Sequence, residues 1–521
     1  MRKILNLYIL VAATIFFTSC KNNTTKSNNT LKINFQTEPM SLEPKLGINL
    51  TSQIAIRALF EGLMKISEKG EVTLGIAEKY MASEDKKTYV FKLRDTYWSD
   101  GEKVSAYDFE RAWKNAIRPD SLCRLPHLFY SIKNAKKIRE NLLSIDDLGV
   151  KAINDKTLKI ELEYPAPFFL SLLSNPLFSP AKDIKPDDGK ETLIISNGPF
   201  ILREYRPNKE MILVKNPYYY LRDQIKIDAI NISFIKDPQT AMNMFKKNEF
   251  DFIGDPVSKI PLEEEEKLLK LNKLTVKPAA GIYWIGFNTD KTPYCNVHFR
   301  RALAYSLDNE LFSQLLNYKQ PAKTFVPDFL SNLNEFSSWY DVSEAKKQLE
   351  IALTELNLTK DNMPIVKLTY CEKIDGGKQL PLLIKKQWEK NLNIKVEVQE
   401  MEWNSYLDAL FKHKLDVVGI PWFSYINDAS YLLETFKLRS LSSNWTLWEN
   451  KEFIESLDNS NQCVDQDKRK EFLSNAEKVI ESEMPIIPLF YDDYRYLTKP
   501  NVKNIVITKI GEIEFRYCSI N

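Results

Sequence analysis

From Leu31 onward two hydrophobic periodicities alternate, and that alternation limits the chain to one broad fold class. Residues 31–35 alternate apolar and polar side chains, as do residues 88–93, where Tyr89, Phe91 and Leu93 share one face. A period of two describes strands with one face buried. Residues 52–65 instead place Ile54, Ala58, Leu59 and Leu63 at helical spacing, and residues 107–117 do the same with Phe109, Trp113 and Ile117. Further on, 211–214 reads as strand and 240–247 as helix, and the strand 282–287 leads into a helix from Phe299. Two more helix–strand units follow, 379–389 into 394–399 and 405–411 into 416–420. Pro39 and Pro44 bracket a loop, Trp98-Ser99-Asp100-Gly101 turns the chain, and Pro119 ends a helix. Strands and helices so mixed, with no internal repeat, imply α/β lobes. At 521 residues the chain exceeds one typical core and should form two or three domains.

The first twenty residues carry a location. Met1-Arg2-Lys3 is a short positive start, residues 4–17 are almost wholly apolar, and Phe17-Thr18-Ser19-Cys20 closes the run. Such a segment is a secretory signal, too short for a comfortable transmembrane helix. With Cys20 followed by a Lys/Asn/Thr/Ser linker, it resembles a bacterial lipoprotein signal, although Phe17 stands where that pattern usually has Leu. The resemblance implies a signal peptide at 1–19, an acylated Cys20 and a tether over 20–30. Two acyl chains hold a protein stably at a bilayer. An ordinary cleaved signal is the alternative.

Charge and motif content then exclude several function classes. Without Arg2 and Lys3 the chain carries 70 basic and 70 acidic residues, a balance unsuited to nucleic acid or an anionic membrane surface. Glu263 to Glu266 reads as a solvated helix start. After Cys20, five widely spaced cysteines show neither zinc spacing nor a disulfide framework. A nucleophile elbow, a His-Glu-x-x-His pair and a phosphate-cradling loop are missing, and Gly376-Gly377-Lys378 reads as a turn. His127, His298 and His413 are too scattered for a triad or a metal centre. Catalysis is therefore not expected, and no cofactor or metal is implied.

Several motifs in a fixed order resemble the peptide-binding class of ABC-importer solute-binding proteins, family 5. They begin with Glu38-Pro39-x-Ser41-Leu42-x-Pro44, Phe60-Glu61-Gly62-Leu63 and Gly75-Ile76-Ala77-Glu78. Tyr89-x-Phe91-x-Leu93-Arg94-Asp95 with Trp98-Ser99-Asp100-Gly101 is the most recognisable run. Asn197-Gly198-Pro199-Phe200, Asn216-Pro217-x-Tyr219, Phe287-Asn288-Thr289 and Arg300-Arg301-Ala302-Leu303 continue it, and Met484-Pro485-Ile486-Ile487-Pro488-Leu489 closes it. The resemblance implies a two-lobed periplasmic-binding-protein fold of type II with an extra domain. Lobe I would combine 31–50, 182–277 and 490–521, with 51–181 inserted in it, and lobe II would span 278–489. It further implies an extracytoplasmic, lipid-anchored monomer that closes on an oligopeptide and delivers it to an ABC permease.

In proteins of that class an extended peptide is held by main-chain hydrogen bonds while its side chains enter roomy pockets. The matching segments are Pro39-Met40-Ser41 and Trp422-Phe423-Ser424, with Tyr283 and Trp284 as rings walling the cleft and His127 near the pocket. Plain core packing is the alternative for Trp422 and Tyr283. One departure is informative: members that read a free amine carry Asp three residues after the cleft Trp, where this chain has Tyr425. Pro421, just before the Trp, has no N–H to donate, and Gly419 stands where some members place Arg. A phenol cannot match a buried ammonium, so the ligand is either a modified peptide, such as a cell-wall fragment, or its amine is anchored by Asp428. A sensor or adhesin on the same fold, and a hydrolase, remain competing functions.

Overall fold

The computed structural model describes residues 29–182, 194–317, 319–331, 333, 339–371, 377–441 and 443–521. Cys20 and the signal segment lie outside them. Among the described residues one ten-stranded sheet runs through the molecule. Its middle consists of two long antiparallel strands, Thr275–Phe287 and Ile486–Thr498. Val417–Phe423, Val366–Tyr370 and Val396–Glu400 extend the sheet on one side. Phe252–Gly254, Thr30–Asn34, Ala229–Ser233, Glu210–Lys215 and Phe200–Arg206 extend it on the other.

The two long strands do not pair evenly. Their register holds from Thr275 opposite Tyr496 to Pro278 opposite Asp493, breaks, and resumes at Ile282 opposite Tyr491. At the break, Ala280 N–H donates to the Lys509 carbonyl at 2.5 Å, and the Ala280 carbonyl accepts from Ser424 N–H at 2.8 Å. Those bonds satisfy backbone groups that the interrupted ladder leaves open.

Apolar packing divides at the same place. One core contains Leu31, Ile33 and Phe35 together with Phe91, Phe109 and Trp113. The other contains Trp284, Phe287, Phe299, Trp388 and Phe453. Two cores joined by two continuous strands make a two-lobed molecule. Residues 51–181 carry their own antiparallel sheet, ordered Ala77–Ala82, Thr88–Leu93, Thr157–Glu161, Val150–Asn154. The helix Ala106–Ile117 packs on that sheet. At its start the Asp108 carboxylate accepts from Ser105 N–H at 2.8 Å and from Ser105 Oγ at 3.0 Å, satisfying a helix-end donor.

The helix expected over 52–65 is shorter, Leu50–Leu59. Tertiary hydrogen bonds stop it. Gly198 N–H donates to the Leu59 carbonyl at 2.8 Å, Asn197 Oδ1 accepts from Glu61 N–H at 3.2 Å, and Asn197 Nδ2 donates back to the Glu61 carbonyl at 3.0 Å. Only glycine fits at 198, because a methyl group there would overlap the Leu59–Phe60 backbone. Met64–Ile66 then pairs as a strand with Val72–Leu74.

Candidate ligand-binding cleft

A cavity of about 480 Å³ lies beside the register break. The loop before helix Leu50–Leu59 and its first turn contribute Ile48, Asn49, Leu50 and Gln53. Asp255, Pro256 and Lys259 follow strand Phe252–Gly254, and Asp492, Asp493 and Tyr494 come from the long strand Ile486–Thr498. Pro421 to Tyr425 line it from the other lobe, at the end of strand Val417–Phe423.

The position of that last segment follows from how its strand is paired. All seven residues of Val417–Phe423 pair with Thr275–Phe287, but only Val417 and Val418 pair with Val366–Tyr370. Beyond Val418 the second edge therefore has no neighbouring strand among the described residues. A proline inside a sheet is tolerated where its nitrogen faces such an edge, and this accounts for Pro421 opposite Tyr283. Phe423 is 41% exposed and its ring lies over Gly281, where even a methyl group would collide with it. Trp422 packs against Trp445, with ring centroids 5.1 Å apart, and its buried indole N–H has no hydrogen-bond partner among the described residues.

Tyr425 meets Tyr431 edge to face at 5.8 Å, and His127 approaches the same Tyr431 with Nε2 3.5 Å from the hydroxyl. The structure thus brings together two residues 304 positions apart in the chain. Burial pushes the Tyr425 phenol up, toward its neutral form.

Other residues named from the sequence are placed differently. Tyr283 is buried and stacks on Phe490 at 5.0 Å. Trp284 is 1% exposed, donates its indole N–H to the Phe325 carbonyl at 3.1 Å and meets Phe436 edge to face. Both belong to the second core, and neither is among the residues lining this cavity. Adjacent residues on a strand point to opposite faces, and each face here is covered. Ser424 is buried, its hydroxyl bound to the Ile426 carbonyl in a tight turn. Asp428 caps the helix Ala429–Leu433, accepting from Ser430 N–H at 3.0 Å, and pairs with Arg469 at 2.7 Å. Met40 is exposed, and Ser41 N–H donates to Ser52 Oγ at 3.3 Å; both lie in the loop whose later residues, Ile48 and Asn49, reach the cavity.

The carboxylates at the hinge end were not singled out from the sequence. A signal was present: Asp492-Asp493 ends the apolar run from Ile486 to Tyr491 within its strand, and charges rarely enter a sheet interior unpaired. Asp492 pairs with Lys319. Asp493 receives both Arg495 Nε at 2.7 Å and Nη2 at 2.9 Å. Asp255 pairs with Lys259 at 3.1 Å, yet burial, added to by the charge of Asp492, holds its carboxyl above the usual range.

Two lobes on a double-stranded hinge, with a partly aromatic cavity at the seam, define a protein built to enclose a solute. Residues 71–444 match the family described as bacterial extracellular solute-binding proteins, family 5 middle. The oligopeptide-binding protein OppA of Bacillus subtilis is 35% identical over 505 residues, covering 94% of this chain and 92% of that one. The solved murein tripeptide binding protein MppA of Escherichia coli superposes with a TM-score of 0.80 at 26% identity, covering 95% and 99% of the two chains. A periplasmic oligopeptide-binding protein of Borrelia burgdorferi gives 0.80 at 25% identity, covering 94% and 100%. This chain belongs to the family 5 solute-binding proteins of ABC importers.

Proposed function

We propose that this protein captures an oligopeptide in the cavity beside the hinge and delivers it to an ABC permease. The observation that carries this reading is the cavity itself, lined from both lobes where the sheet's register breaks. Relatives named for oligopeptide and murein peptide binding support the choice of ligand. Trp422 and Phe423 supply apolar surface. Tyr425 lines the cavity, and His127 meets the same Tyr431 that Tyr425 packs against. Met40 and Ser41 belong to the loop that would order over a bound chain. The protein works without catalysis and as a monomer, with 31–50, 182–277 and 490–521 as lobe I, 51–181 inserted and 278–489 as lobe II.

Native mass spectrometry of freshly purified protein tests the reading, because a solute in a closed cleft copurifies. Peptide masses released on denaturation are expected; a non-peptide solute would overturn it. Tethering through Cys20 is part of the same proposal. Palmitate labelling should reach the wild type and be lost in Cys20→Ala, and equal labelling of both would remove the tether.

A further inference from the structure

Each carboxylate that lines the cavity is paired within the protein, although Arg495 is shared with Glu265, which binds it at 2.6 Å. Asp255, Asp492 and Asp493 each have a basic partner: Lys259, Lys319 and Arg495. At the opposite end Tyr425 offers only a phenol against Tyr431. The next carboxylate along that segment, Asp428, has Arg469 at 2.7 Å and two bonds from Ser430, and its side chain is 13% exposed. Arg469 is itself held by the Ser460 carbonyl at 3.2 Å. Releasing Asp428 would strand a buried guanidinium and uncap a helix, so it does not swing to a ligand. No carboxylate among the described lining residues is left over for a ligand cation.

Building on the peptide reading above, we propose that the part of the ligand buried in this cavity carries no ammonium. It is an N-acylated end or an interior stretch of peptide. An ammonium taken out of water without a carboxylate partner loses far more than its apolar neighbours regain. An amide in the same place needs only hydrogen-bond partners, and the Tyr425 hydroxyl can provide one. The apolar walls, Ile48, Leu50, Pro256, Phe423 and Ile510, then select apolar side chains.

Asp255 is the rival anchor. Its partner Lys259 has a side chain 55% exposed, so that pair is weaker than the other two. Burial already drives the Asp255 carboxyl toward its neutral form, which lessens its hold on a cation.

The experiment is titration calorimetry of the full protein against a library of apolar pentapeptides, each made with a free and an N-acetylated amino terminus. Acetylation is expected to leave affinity within about threefold or to raise it, and Tyr425→Asp is expected to shift preference toward the free amine by about tenfold or more. Asp255→Asn is the control for the rival and should leave the ratio of the two forms unchanged. Circular dichroism and thermal melting confirm that both variants fold. Binding of the free form alone would overturn the inference while leaving peptide capture intact, and its loss in Asp255→Asn would assign the amine to that carboxylate. Failure of both forms to bind would overturn the peptide reading and this inference with it.

Discussion

Two glycines on neighbouring strands show how the same substitution separates packing from binding. A methyl group on Gly419 would overlap the hydroxyl of Tyr283, which is buried in the second core. A methyl group on Gly281 would overlap the ring of Phe423, which is 41% exposed and able to move. Overpacking a closed core costs roughly 1–3 kcal/mol, whereas an exposed ring can turn aside at less cost. Gly419→Ala should therefore lower the urea midpoint clearly. Gly281→Ala should leave it nearly unchanged but displace Phe423 and weaken ligand binding. Urea denaturation and calorimetry of both variants check the contrast, and equal destabilisation would misplace Phe423.

At the scale of elements, a buried charge network ties the helix Leu50–Leu59 to the C-terminal segment. Arg57 binds Glu514 at 3.0 Å, contacts Glu512, and donates to the Ser174 carbonyl at 2.8 Å. Arg516 binds the other oxygen of Glu514 at 2.7 Å and contacts Glu61. Glu61 also accepts from the hydroxyls of Tyr219 and Tyr220, at 2.6 and 2.7 Å. Burial alone would raise the Glu61 carboxyl, but Arg516, Lys65 and the two phenols outweigh it and hold the pKa low. Such a network adds little over an apolar core, yet removing one partner leaves charges buried and unmatched. Arg57→Met is expected to cost roughly 3–5 kcal/mol, read from equilibrium unfolding, because Glu512 and Glu514 lose their shared cation.

On the scale of the whole molecule, contacts away from the shared strands also join distant parts of the chain. His127 against Tyr431 is one, and Ala166 N–H donating to the Asn461 carbonyl at 3.2 Å is another. In the proposed capture of ligand between the lobes, His127→Ala removes the ring that meets Tyr431 and should weaken binding with little change in stability, read by calorimetry and thermal melting. Unchanged affinity would remove His127 from that role.

The sequence by itself determined most of the elements, because a strand or helix with one buried face carries its period in its own residues. The strand Thr88–Leu93 and the helix Ala106–Ile117 were legible in this way. The segment from Trp422 to Tyr425, singled out through its family resemblance, lines the cavity beside the register break. Tertiary structure decided where periodicity has no voice. The first helix ends at Leu59 because Asn197 and Gly198, more than 130 residues on, take its last backbone groups. Tyr283 and Trp284 read as candidate cleft rings, but whether an apolar face meets another face or an open cavity depends on its neighbours across the sheet. The carboxylates at the hinge come from segments more than 230 residues apart, and they gather only because Phe252–Gly254 pairs with Ile486–Thr498. Local spacing encodes which side of an element is apolar; only the assembled lobes decide what that side touches.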